Sequence, residues 1–141
     1  MCVKLQFPFN NQQRTLIIGP ADVIGLVPVP NQRIDARHFF PADDRFSNLT
    51  QANKEKQLDA LRNAAQCVAT SFEGSPVVWL FCAEGRSRSP RVAGAFLRRH
   101  LGLSPLEVMQ MLRDGYTHHR TDQCVQQMNE ENVKEWIHAL G

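Results

Sequence analysis

The residues that could do chemistry gather in one stretch, "VVWLFCAEGRSRSPR", residues 77–91. An apolar run ends in Cys82. Gly85 follows within a short turn, Arg88 closes a Cys-x5-Arg spacing, and a helical pattern opens near Ser89 or Pro90. A strand that runs through a turn into the start of a helix makes an anion site. The first helical N–H groups lack intrahelical partners and sit at the positive end of the helix dipole. A loop of small residues around Gly85 lets successive N–H groups converge as a nest. Arg88 can add a two-pronged grip on phosphate oxygens, and the same field favours a thiolate on Cys82. Such a loop can hold a dianion above a sulfur nucleophile, which is what covalent thiol–phosphate chemistry requires. The competing reading is a core cysteine at a strand end followed by a solvated basic face. Cys-x5-Arg alone does not separate the two. The strand before it, the glycine inside it and the serine and helix after it favour the anion site.

These residues need elements to position them. "VVWLF" is a continuous apolar run between turn residues, as for a central strand covered on both faces. "RVAGAFLRRHL" places Val92, Ala93, Phe96, Leu97 and Leu101 on one helical face, ended by Gly102. Upstream, "TLIIG" (Thr15–Gly19) reads as a buried strand, "VIGLVPVPNQ" as an irregular loop, and "IDARHFF" (Ile34–Phe40) as a strand closed by Pro41. From about Thr50 to Phe72, Leu58, Leu61, Ala65, Val68 and Phe72 recur at helical spacing. Ser104, Pro105 and Glu107 form a capping-box start for a helix expected to stop at Gly115, and "YTHHR" reads as a loop. A last helix, capped by Thr121 or Asp122, buries Val125, Met128, Val133, Trp136, Ile137 and Leu140. The expected fold is a single α/β domain over residues 1–141: a small, mostly parallel central sheet flanked by helices.

The bulk numbers fit that picture. The chain has 141 residues, 43% of them apolar, enough for one core, and its net charge of only +2 argues against a general nucleic-acid binder. Cys2, Cys67, Cys82 and Cys124 form no CxxC pair and are read as free thiols of a reducing compartment. No signal-peptide pattern and no bilayer-length apolar run is seen, so a soluble, cytoplasmic protein is expected, with delivery to another compartment or a host cell left open.

"CAEGRSRSP" (Cys82–Pro90) resembles the signature loop of the cysteine-dependent protein phosphatases, and its Gly85–Ser89 form most closely resembles the dual-specificity branch. The resemblance extends more weakly over residues 14–140: "LTQANKEKQLDALRNAAQ" is similar to the helix before the catalytic strand, and "TLIIGP" and "RHFFPADD" to the shortened front sheet of small bacterial-type members. It implies a phosphate-monoester hydrolase of the phosphatase fold, acting on phosphotyrosine and phosphoserine/threonine in proteins without metal or cofactor. Cys82 would form a phosphocysteine, and Arg88 would bind the phosphoryl oxygens. Ser89 would assist the leaving thiolate. The N–H groups of Ala83, Glu84, Gly85, Arg86, Ser87 and Arg88 would cradle the phosphate. The family's general acid, an upstream aspartate, falls on Asp43 or Asp44 of "FPADDRF". The Pro-x-x-Asp spacing favours Asp44 and the distance to "NLT" favours Asp43, and the balance leans to Asp44. Asp35 and Asp22 are weaker candidates.

Two departures stand out. Phe81 occupies the place where the family carries a histidine, which would leave less thiolate on Cys82. Glu84 would repel a bound dianion unless it points outward. Arg86 is expected to face solvent or the substrate rim rather than a phosphoinositide, and Arg91, Arg98 and Arg99 to form an exposed face. His118 and His119, beside Arg120, are read as a polar loop rather than a metal site. Cys67 is read as core rather than as a disulfide partner of Cys82, and Trp79 and Trp136 as core anchors. Alternative functions with the same loop are a phosphoinositide or RNA 5′-phosphatase and a phospho-binding pseudophosphatase without turnover. A rhodanese-like sulfur carrier needs neither the upstream aspartate nor Ser89.

Overall fold

A computed structural model describes residues 3–21, 32–118 and 127–141. The "VIGLVPVPNQ" loop up to Asn31, Asp22, His119, Arg120, the expected caps Thr121 and Asp122, Val125, Cys2 and Cys124 lie outside the described residues, as does the side chain of His118.

The chain opens with strict alternation. In "VKLQFPF", Val3, Leu5 and Phe7 are buried while Lys4, Gln6 and Pro8 are exposed, the pattern of a strand with one face on a core. Strand β1 (Val3–Phe9) pairs antiparallel with β2 (Gln12–Pro20) through Asn10 and Asn11, whose φ values are 52° and 62°. Asparagine tolerates that left-handed region better than most residues, and two such residues make the tight hairpin turn. Strands β3 (Gln32–Asp35) and β4 (Val77–Cys82) complete a four-stranded sheet of order β1-β2-β4-β3, with β4 parallel to both neighbours. The sheet is therefore mixed rather than mostly parallel, because the N-terminal hairpin adds an antiparallel edge.

"IDARHFF" is not one strand. Asp35 ends β3 by accepting the Arg37 N–H at 3.0 Å, and Ala36–His38 turn as a 3-10 helix. Phe40 is thereby carried under the sheet's end, fully buried against Trp136 with ring centroids 5.5 Å apart.

Four helices follow. Helix α1 (Gln51–Gly74) starts at Thr50, whose Oγ1 accepts the Asn53 N–H at 3.3 Å. Helix α2 (Arg88–His100) follows β4, and Gly102 beyond it takes φ +73°, which lets the chain reverse. Helix α3 (Pro105–His118) has the expected capping box: Ser104 and Glu107 exchange backbone-to-side-chain bonds at 3.0 and 3.2 Å. It does not stop at Gly115. That glycine lies inside α3 where a Cβ would stand 2.5 Å from a Leu5 methyl, so its missing side chain serves packing against β1. Helix α4 (Glu130–Leu140) buries Val133, Trp136, Ile137 and Leu140.

The buried faces of all four helices join Val3, Leu5, Phe7, Leu16, Ile18, Ile34, Val78 and Leu80 in one core. The opposite face of the sheet carries a small cluster of Ile17 and Phe81 with the half-buried Val77 and Trp79. Among the described residues, then, helices cover one face of the sheet rather than both. Trp136 is a core anchor, but Trp79 belongs to the smaller cluster. Cys67 is exposed on α1, not core. No helix among the described residues is long and apolar enough to cross a membrane.

Candidate active site

Strand β4 is an interior strand, and Cys82 is its last residue, at the carboxyl end between parallel neighbours where α/β folds place their ligand sites. Alternation along β4 sends Cys82 to the main-core side, with Leu80, and Phe81 to the other side. Phe81 is fully buried there, stacked on Trp79 at 6.1 Å. The position that raised a question in the sequence thus faces away from the thiol and supports the reverse face of the strand.

The loop after Cys82 wraps the sulfur. The backbone N–H groups of Gly85 and Ser89 donate to Cys82 Sγ at 3.2 and 3.4 Å. Gly85 reaches this arrangement at φ +72°, a conformation favoured by glycine. Its carbonyl accepts the buried Tyr116 hydroxyl of α3. The next carbonyl, that of Arg86, accepts the Asn129 N–H at 2.9 Å. In a planar trans peptide the N–H points opposite to the C=O. Anchoring these two carbonyls therefore fixes the orientation of the Arg86 and Ser87 N–H groups. Burial pushes the Tyr116 phenol well above its ordinary range, so it stays a neutral donor.

A cleft of about 180 Å³ opens over the sulfur, lined by Cys82, Ala83, Glu84, Arg86, Ser87 and Arg88 of the loop and by Asp43 and Asn129. Arg88 opens α2, and its Nη1 donates to the carbonyls of Phe40 and Pro41 at 3.0 and 3.2 Å. Glu84 is exposed, and its carboxylate stands 3.8 Å from the Arg86 guanidinium. Arg86 also donates through Nε to the Gln127 carbonyl at 3.0 Å, which ties it to the rim. Ser89 meets Cys82 through its backbone N–H, while its own hydroxyl is buried without a partner among the described residues.

The two candidate acids separate. Asp43 lines the cleft, and its Oδ1 accepts from Ser87 Oγ at 2.7 Å and from Arg91 Nη2 at 3.0 Å. Asp44 does not line it; Arg91 and Trp136 Nε1 hold its backbone carbonyl instead. Asp35 is paired with Arg37, whose guanidinium holds that carboxyl below the ordinary carboxylate range.

Arg91 overturns the expectation of a solvent-facing residue. It is fully buried, with its guanidinium 4.0 Å from the Trp136 ring centre and 4.8 Å from that of Phe40. Burial lowers its pKa to about 10, and the nearby Asp43 opposes that shift, so it is charged at neutral pH. Arg98 is half-buried and donates to the carbonyls of Leu103 and Gly141, while Arg99 is exposed. Sequence reasoning did not single out Tyr116, Asn129 or Asn132 for the site. The i, i+4 spacing of Ser87 with Arg91 and of Asn132 with Trp136 is the only trace of the network in the chain. A larger cleft of about 520 Å³ between β1 and α3 contains none of the expected site residues.

No family model matches the chain, and no curated protein or solved structure shows significant similarity to it.

Proposed function

We propose that the protein is a cysteine-dependent phosphatase that hydrolyses phosphate monoesters. The observation that carries this reading is the surrounding of one sulfur. Cys82 lies in a cleft, receives two backbone N–H groups, and shares that cleft with Arg88 and the Asp43 carboxylate. A phosphate dianion fits a site built from loop N–H groups, a helix start and a guanidinium.

In the first step the Cys82 thiolate attacks phosphorus. The S–P bond forms, the P–O bond to the leaving group breaks, and the carboxyl of Asp43 gives its proton to the departing oxygen. In the second step the Asp43 carboxylate takes a proton from water. That water attacks phosphorus, the S–P bond breaks, and inorganic phosphate leaves with the thiolate restored. Arg88 and the loop N–H groups serve the equatorial oxygens in both steps. Protein phosphotyrosine and phosphoserine/threonine are the substrate class assigned here, following the loop's resemblance to the dual-specificity branch.

The test is hydrolysis of an aryl phosphate by the native chain, with and without chelator, followed by a panel of phosphopeptides, phosphoinositides and 5′-phosphorylated RNA. Turnover lost in Cys82→Ser and kept with chelator is expected, with phosphopeptides the best substrates. A native chain that binds phosphopeptide without turnover would instead be a phospho-reader.

A further inference from the structure

We propose that Arg91 is the positioning residue for proton transfer: from the first turn of α2 it clamps residues 43–44 so that the Asp43 carboxyl stays over the Cys82 cleft. This rests on the phosphatase reading and assigns a role that the signature loop itself does not contain.

Arg91 does not line the cleft, so it acts through another group. One nitrogen, Nη2, reaches three acceptors: Asp43 Oδ1 at 3.0 Å, the Asp44 carbonyl at 3.3 Å and Ser87 Oγ at 3.4 Å. The first two lie on the acid loop and the third on the phosphate loop, so a single buried guanidinium ties the two loops together. Asn132 Nδ2 adds bonds to Ser87 Oγ at 2.9 Å and to Asp43 Oδ1 at 3.4 Å. Among the described residues every bond to this carboxyl ends on Oδ1. That leaves Oδ2 to carry the transferable proton.

A purely structural role explains this arrangement poorly. Arg91 Nε and Nη1 are buried without partners among the described residues, and each such donor costs stability. An apolar side chain of similar volume between Phe40 and Trp136 would avoid that cost, since replacing buried ion pairs by packed hydrophobes is often neutral or stabilising. What an apolar side chain could not do is direct Oδ1.

In the first step the orientation of the acid matters only when the leaving oxygen needs a proton, and kcat/KM reports that step apart from the water attack that follows. The test compares phenyl phosphate, a poor leaving group, with 2,4-dinitrophenyl phosphate, which departs without help, for the native protein, Arg91→Met, Arg91→Lys and Trp136→Phe. For Arg91→Met, kcat/KM on phenyl phosphate should fall about 10- to 100-fold, the scale of a misplaced catalytic group. On dinitrophenyl phosphate it should change by less than about 3-fold, because that leaving group needs no proton and Asn132 still holds Ser87 Oγ of the phosphate loop. Arg91→Lys should recover part of the loss. Trp136→Phe, which keeps a ring under Arg91 but removes the donor to the Asp44 carbonyl, should show the same selectivity more weakly, and it reads the clamp even if Arg91→Met does not fold. Equal losses on both substrates, or no loss on either, would overturn the clamp while leaving the phosphatase reading standing. A native chain inactive on both substrates would overturn the phosphatase reading itself, and the clamp with it.

Discussion

Asp43 and Asp44 are neighbours in sequence but face different surroundings. Asp43 is drawn to the cleft by Ser87 and Arg91, while Asp44 is held by its backbone. We therefore expect Asp43→Asn to lower kcat on phenyl phosphate by on the order of 10²–10⁴-fold, the usual worth of a general acid. Asp44→Asn should stay within about 3-fold of the native rate, because its carbonyl survives the substitution. Steady-state rates on the purified variants check both. At Gly85 the backbone itself is at stake. Its φ of +72° sets both the N–H to Cys82 and the carbonyl to Tyr116. Gly85→Ala should cost about 1 kcal/mol of stability, read by denaturant melts, and should weaken inhibition by inorganic phosphate. That Cys82, Gly85, Arg88 and Ser89 gather around one sulfur was legible at this scale because they are contiguous. The choice between the two aspartates was not, since it depends on which side chain a loop turns inward. Arg91 misled for a related reason: helical spacing put it on an outer face, but α4 and the 43–44 loop close over it.

Among the elements, helices α3 and α4 support the site from outside its signature. Helix α4 supplies Asn132 and Trp136, and its Glu135 holds the other end of the acid loop by pairing with Arg45 and accepting the Ser47 N–H at 3.1 Å. The Arg45 bond, aided by Ser47, holds the Glu135 carboxyl below its ordinary value of 4.5. A depressed carboxyl contributes stability above its unfolded value and loses it as pH falls through the folded one. Glu135→Gln should therefore lower Tm slightly at neutral pH, by no more than the few tenths to 1 kcal/mol of an exposed pair, about a few degrees. The difference from the native chain should close as pH drops below 4.5. Thermal melts across that range check it. Helix α3 supports the loop through Tyr116, and Gly115 lets α3 lie against β1. Gly115→Val should destabilise by about 1–3 kcal/mol through overpacking, measurable by urea unfolding. Helices were the legible elements, since Thr50 and the Ser104–Glu107 box mark their starts. The first hairpin was legible too, in seven alternating residues before Asn10-Asn11, although the expected fold passed over it. Gly115 was misread as a stop because a glycine near a helix end signals a cap unless the strand it packs against is known.

For the whole molecule, the α/β class followed from the order of elements, but the layering did not. The apolar run of β4 suggested cover on both faces, and Leu80 and Phe81 on its opposite sides are both buried, but the described helices gather on one. A continuous apolar strand does not say what covers each side. The overall geometry brings the carboxyl end of β4, the start of α2, the 43–44 loop and α4 to one end of the sheet. The proposed chemistry requires that convergence, and local sequence patterns could not show it. In the proposed mechanism phosphate passes through Cys82. The most direct measurement is acid-quenched intact-mass analysis, with peptide mapping, of the native chain and Cys82→Ser mixed with dinitrophenyl phosphate. A phosphoryl adduct on Cys82 that forms during turnover and is absent, with turnover, from Cys82→Ser is the predicted result. Turnover that survives in Cys82→Ser, or a native chain that neither turns over nor acquires the adduct, would contradict it.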